Sequence, residues 1–151
     1  LSLALLALCA MVAHLTRLWF WQPWTTLNTP LVWVLHAAYA WIPLHLGFRA
    51  MAAMSWISPS VANHSLTTGA IGGMVIGMMT RTALGHTGRK LAAGWAEVTC
   101  YSLVAAAALV RVFVPLLFPA FILQSVIISA VMWSTGFGLY ALRYWPILSR
   151  D

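Results

Sequence analysis

The chain alternates long apolar runs with short segments that carry most of its polar and charged residues. Each complete run holds roughly 20 residues, enough for an α-helix to cross a hydrocarbon core of about 30 Å. None of the runs alternates apolar and polar residues with the period of two that a barrel strand requires. The pattern predicts an all-α, polytopic membrane helical bundle with about five transmembrane helices, over residues 1–16, 30–54, 64–85, 95–114 and 120–142.

The first run already begins at Leu1, so we expect the first helix to be truncated. Residues 1–151 are then a single transmembrane helical domain, the C-terminal part of a longer protein. Residues 17–28 are rich in tryptophan and predict an interfacial belt at headgroup level. Pro115 and Pro119 are expected to break the chain between the last two helices.

Composition supports a membrane class. The chain is 62% hydrophobic and only 7% charged, whereas soluble domains are about one quarter charged. We therefore expect the lipid bilayer to be its main partner. We interpret the basic residues as contacts to lipid headgroups. The sequence has no pattern of aromatic and basic residues that would indicate nucleic-acid binding. Cys9 and Cys100 lie in apolar runs and are expected to pack without forming a disulfide.

The basic residues also predict the orientation. Counting spans from the tryptophan-rich segment places most of them on one side, and the positive-inside rule makes that side cytoplasmic, together with the C-terminus. The opposite side receives Arg49 and Arg111. The cytoplasmic set is Arg17, Arg81, Arg89, Lys90, Arg143 and Arg150.

Small residues recur at every fourth position of the third predicted helix. They form one slowly drifting stripe that lets another helix approach closely within a bilayer. Arg81 continues the spacing, so the stripe ends in a buried or interfacial cation. The predicted helix-packing residues are Ser65, Gly69, Gly73 and Gly77.

Five histidines stand out in so apolar a chain, because ionisable groups at membrane depth are costly and usually functional. His14, His36 and His86 fall toward the cytoplasmic side and would meet in one layer if their helices are neighbours. His45 and His64 fall toward the other side, and about 13 Å of helix separates His36 from His45. Neutral imidazole commonly binds haem iron and copper. All five histidines are candidate metal ligands; capping a helix end or bonding a carbonyl is the simpler alternative for each.

Other residues extend this hypothesis. Tyr39 and Pro43 share a helix face with His36, and Pro43 is expected to kink the helix and open space for a planar cofactor. Met74 and Met78 lie one turn apart, either as core filler or as soft ligands of copper(I).

The other residues that are costly to place at membrane depth are three arginines and one acid. Arg49, Arg81 and Arg111 either pair with an anionic cofactor group such as a haem propionate or extend to lipid headgroups. Glu97 stabilises a helix N-terminus, pairs with Arg89 or Lys90, or relays a proton.

Three sequence blocks resemble the NnrS family. They are L-H-x-x-Y at residues 35–39, H-x-L-T-x-G-A-I-G-G-M at 64–74 and M-T-R-x-x-L-G-H-T-G-R at 79–89. The similarity covers about residues 14–150. It implies a bacterial inner-membrane protein that contains haem b and copper and takes part in the response to nitric oxide and nitrosative stress.

The resemblance has further implications. Family members have about a dozen spans, so an N-terminal half would be a partner of this chain, and nitric oxide a candidate ligand. The histidines inside the blocks become the leading cofactor-binding candidates, with two arginines beside them. These residues are His36, His64, His86, Arg81 and Arg111.

Two other functions remain open at this stage. A cofactor-free transporter or channel would use the small-residue stripe as a sliding interface and the arginines as an anion path. In a structural or assembly subunit, the histidines and arginines would only determine packing.

Overall fold

A computed structural model describes residues 1–149, and nearly all of them are helical. Short 3₁₀ turns at Pro23–Thr26 and Pro119–Phe121 connect longer helices. Within the described residues there is no strand, so the predicted all-α fold is confirmed. The helices are α1 (Ser2–Phe20), α2 (Pro30–Ala53), α3 (Pro59–His64), α4 (Gly72–His86), α5 (Trp95–Leu117) and α6 (Ile122–Leu148), and a π-helical segment (Ser65–Ile71) joins α3 to α4.

Four of the described helical stretches are long and apolar enough to cross a membrane: α1, α2, α5 and Pro119–Leu148. The prediction of a membrane helical bundle is confirmed. The remaining predicted span, 64–85, is also helical. Its first part is the seven-residue π segment, and its second part is α4, which has 15 residues. Over residues 1–149 the bundle therefore contains four helical stretches that are able to span a membrane and one compound helix over residues 59–86.

Several predicted helix ends differ from the observed ones. α1 continues to Phe20, into the segment predicted to be an interfacial belt. α5 passes through Pro115 to Leu117, and α6 passes through Pro146 to Leu148. Apolar surroundings favour continued helix, because the backbone of a membrane helix has no water to bond. Arg150 lies outside the described residues.

The compound helix lies between α2 and the α5–α6 pair. α2 packs against α1 as well as α4 and the π segment, while α5 packs mainly against α6. The largest cluster of buried side chains joins α2, α4, α5 and α6, and it includes Leu31, Val34, Ile76, Tyr101, Val104 and Tyr144.

The small-residue stripe of the compound helix lies against α2. Ser65 is fully buried and donates to the carbonyl of Ala62 at 2.7 Å. A Cβ added to Gly69 would overlap the indole of Trp41, and one added to Gly73 would press on Ala38. Gly77 lies under two further side chains of α2, Val34 and Leu35. We call Ser65, Gly69, Gly73 and Gly77 the glycine seam.

A second indole contacts the compound helix from another direction. Trp133 of α6 fills the space that a side chain on Gly72 would need. Gly72 falls outside the four-residue spacing, which explains why the sequence pattern did not select it. Trp41 and Trp133 thus hold the π segment and the start of α4 between α2 and α6.

Glu97 joins the start of α5 to the end of α6. Its Oε2 accepts the backbone N–H of Gly94 at 2.8 Å, which caps the helix N-terminus as one of the sequence alternatives proposed. Its Oε1 accepts from the Tyr144 hydroxyl at 3.2 Å and from Arg143 Nε at 3.4 Å. The cation beside Glu97 is therefore Arg143, rather than Arg89 or Lys90.

We predict that Glu97→Ala lowers the free energy of unfolding by about 2–3 kcal/mol, because it removes a helix cap and leaves a buried hydroxyl unpaired. Arg143→Ala should cost less than about 0.5 kcal/mol, since its side chain is 58% exposed and exposed ion pairs contribute little. Denaturant unfolding in detergent micelles measures both. Equal losses for the two variants would mean that the ion pair, rather than the cap, stabilises this end.

Candidate functional site

His36 is held in one tautomer by the turn that precedes α2. The Thr26 hydroxyl donates to the carbonyl of Pro23 at 2.7 Å and lies 3.0 Å from His36 Nδ1. A hydroxyl has a single proton, and here the proton is directed at Pro23. Thr26 Oγ1 must therefore accept from the Nδ1–H of His36, which leaves the Nε2 lone pair of the imidazole available.

A cleft of about 580 Å³ lies beside His36, between the tryptophan-rich turn, α2 and α4. Its volume is in the range of small-molecule and cofactor sites, and its walls are mainly apolar, as is usual for such sites. The structure thereby brings together four residues that the sequence singled out on two helices. We call it the His36 cleft; it is lined by Trp21, Val32, Leu35, His36, Tyr39, Met74 and Met78.

His14 reaches the same region through Tyr39. A hydrogen bond of 2.6 Å joins His14 Nδ1 to the Tyr39 hydroxyl. The Trp21 ring lies 4.7 Å from the Tyr39 ring and 6.0 Å from the His36 ring, measured between centroids. His14 and His36 therefore contact one aromatic cluster.

His86 is separate from that cluster. Its side chain is exposed and lines a second cleft, of about 430 Å³, together with Met79 and Tyr140. Met78 borders both clefts. Of the three histidines that the sequence predicts to lie toward the cytoplasm, the structure brings together His14 and His36 only. Arg81 is likewise exposed on α4.

His45 links two helices at the other end of α2. Its Nδ1–H donates to the carbonyl of Ala62 at 2.7 Å, and that oxygen also accepts the Ser65 hydroxyl. Ala62 belongs to α3, close to the start of the π segment, where the backbone bonding pattern changes. This contact matches the simpler sequence alternative, a histidine that bonds a backbone carbonyl.

His64 has hydrogen bonds at both ring nitrogens. Its Nδ1–H donates to the carbonyl of Ser60 at 2.7 Å, and its Nε2 accepts from Arg111 Nη2 at 2.8 Å. The sequence placed both residues near the same membrane surface on successive spans, but no motif indicated that they pair. A metal at His64 would have to displace Arg111.

The family model described as NnrS protein matches residues 1–151. The chain belongs to the NnrS family. The resemblance found in the three sequence blocks is thus confirmed, and with it a place among membrane proteins of the response to nitric oxide. No curated protein and no solved structure matches the chain.

Within residues 1–149 of this NnrS protein, histidine, cysteine and acidic side chains do not assemble a complete metal site. No three His, Cys, Asp or Glu side chains in that range come together. Cys100 is buried in the core and Cys9 is exposed on α1. A metal would therefore need methionine ligands, a cofactor that supplies its own donors, or residues beyond those described.

Thr26 is the partner of His36 that sequence reasoning missed. It lies ten residues before His36, outside the helix and outside the family blocks. The available signal was the Pro-Trp-Thr-Thr segment, because a proline followed by threonines forms a tight turn with hydroxyl-to-carbonyl bonds.

Proposed function

We propose that this NnrS protein binds haem b in the His36 cleft and acts in the response to nitric oxide. The observation that carries the proposal is the fixed tautomer of His36. Histidines that bind metals usually donate their other ring N–H to a neighbouring oxygen, which orients the ring and raises the basicity of the ligand. Thr26 supplies that oxygen here.

The residues around His36 suit a haem group. His36 Nε2 would bind the iron, and the porphyrin would supply the four nitrogen donors that the described side chains lack. Trp21, Val32 and Leu35 provide apolar walls for the macrocycle. Bound haem would offer its iron to small diatomic ligands such as nitric oxide.

The His14–Tyr39 pair gives the cleft a polar group. Tyr39 lines the cleft, and its hydroxyl bonds to His14 at 2.6 Å. Tyrosine and imidazole each donate and accept, so the pair can hold a proton beside a polar ligand. We propose that it positions such a ligand in the cleft.

Copper is the second cofactor that the family resemblance implies. Met74 and Met78 lie one turn apart on α4 and line the same cleft, and thioether sulfurs prefer copper(I). We propose that they provide two copper ligands. Further ligands would come from the N-terminal half of a longer protein.

We predict that the double variant Met74→Leu/Met78→Leu loses most of its copper and keeps its haem. Leucine preserves the volume and apolar character of the wall, while the soft donors are removed. Copper and iron content, measured by mass spectrometry on the purified intact protein, gives both results. Met79→Leu, on the same helix but outside the His36 cleft, is the matched control and should retain both metals.

The same proposal includes location and orientation. We propose a multi-pass protein of the bacterial inner membrane with its C-terminus in the cytoplasm, because five of the described basic residues belong to the loops and helix ends of one side. Span counting from the sequence, not the structure, assigns these residues to one side: Arg17, Arg81, Arg89, Lys90 and Arg143.

An absorption spectrum of the purified intact protein tests the proposal as a whole. A Soret band that shifts when nitric oxide is added to the reduced protein is the expected result. A colourless protein that catalyses anion flux in proteoliposomes would instead support the cofactor-free transporter. The tight contacts of Trp41 and Trp133 with the glycines of the compound helix argue against a sliding interface.

A further inference from the structure

Arg111 brings a positive charge into the bundle, and no acidic side chain among residues 1–149 pairs with it. Its Nη2 donates to His64 Nε2 at 2.8 Å. His64 gives its Nδ1 proton to the carbonyl of Ser60, so its Nε2 accepts as a lone pair and the imidazole is neutral. The pair therefore retains the full charge of the guanidinium.

The described chain offers no carboxylate to balance that charge. The whole sequence contains two acids. One of them, Glu97, lies 14 residues earlier on α5, about 21 Å away along the helix axis, and is occupied by Gly94, Arg143 and Tyr144. The other, Asp151, lies outside the described residues. A half-buried cation in an apolar bundle is costly when unpaired.

Arg111 and His64 line a cleft of about 420 Å³ between the π segment, α5 and α6. More polar side chains surround it than surround the His36 cleft. Three hydroxyls in its lining donate to carbonyls of their own helices, so Arg111 provides the charged donors. These hydroxyls belong to Thr67, Thr68 and Ser129, and the indole of Trp133 completes the wall.

We propose that this cleft binds a monoanionic oxygen group against Arg111, with His64 holding the guanidinium in place. One negative charge balances one guanidinium, whereas a dianion would leave an excess charge in the bundle. The planar fork of arginine can donate two parallel hydrogen bonds to two oxygens of one group. Two sources have this chemistry: a free planar oxyanion and the phosphodiester of a lipid headgroup.

The first arm of the test measures nitrate binding to the intact protein in neutral detergent by isothermal titration calorimetry. We expect one saturable site, and Arg111→Gln should weaken it at least tenfold, because charge-assisted bonds are the strong ones. Arg49→Gln is the matched control, since it removes the same charge from the same membrane side; it should change the affinity less than twofold. Arg111→Lys, which keeps the charge but loses the fork, should fall between the two.

The second arm measures retained lipid by native mass spectrometry after purification with phosphatidylglycerol. If the source is a headgroup, the wild type and Arg49→Gln retain one lipid that Arg111→Gln loses. Nitrate binding that depends on Arg111, or lipid retention that depends on Arg111, supports the site and identifies its source. The proposal is overturned if neither arm distinguishes Arg111→Gln from Arg49→Gln. If Arg111→Gln does not fold, the comparison of Arg111→Lys with Arg49→Lys decides in the same way.

Discussion

Gly69→Ala is expected to lower the free energy of unfolding by about 3 kcal/mol, at the upper end of what overpacking costs. The added methyl group would overlap the indole of Trp41. The ring lies between α2 and the compound helix and cannot move without separating them. Alanine is otherwise a better helix former than glycine by about 1 kcal/mol, so steric overlap must outweigh a favourable change. Thermal and denaturant unfolding in detergent micelles measure the difference.

Gly138→Ala is the matched control. A Cβ at Gly138 would meet nothing within 4 Å, so the same substitution there should be neutral or stabilising by up to about 1 kcal/mol. Adding Trp41→Phe to Gly69→Ala should recover part of the lost stability, because a smaller ring relieves the overlap. Similar losses at Gly69 and Gly138 would show that the indole contact does not determine how closely the helices pack.

The apolar runs were sufficient to predict the helices, since each run is long enough to cross a bilayer and contains few charges. Helix ends were less predictable. Pro115 and Pro146 are located within helices, because an apolar environment penalises an open backbone more than it penalises a proline. The division of the 64–85 span by a π segment was also not predictable, since a one-residue change in helical bonding leaves no hydrophobic signature.

Pairings between helices were the other limit. Spacing along one helix places Gly69, Gly73 and Gly77 on a stripe, but the side chain that fills the space above each of them belongs to α2. His64 and Arg111 likewise lie on different helices, as do Glu97 and Arg143. Chemical type and approximate depth can be read from the sequence, whereas the partner depends on how the helices pack.

His36→Ala is expected to reduce the haem content of the intact protein at least tenfold, because it removes the proposed iron ligand. Pyridine haemochrome absorbance per mole of protein measures the loss. His86→Ala is the control, because His86 is exposed and lines a different cleft. The haem content of this variant should stay within about twofold of the wild type. That change is smaller than the loss caused by removing a residue that positions a ligand. Equal losses in the two variants would contradict the assignment to the His36 cleft.

Thr26→Val separates the positioning of His36 from its presence. Valine keeps the shape of the threonine side chain but cannot accept the Nδ1–H of His36. Loss of such a partner typically weakens metal binding by 10- to 100-fold. A haem content unchanged by Thr26→Val would mean that the fixed tautomer does not contribute to the site.

The most direct measurement is the absorption spectrum of His36→Gly in the intact protein, recorded with haem present before and after addition of imidazole. The substitution leaves a space in which free imidazole can replace the missing ring. A Soret band that is absent without imidazole and returns as it is added is the result our account predicts. A band of wild-type intensity in His36→Gly without imidazole would show that the haem is held elsewhere.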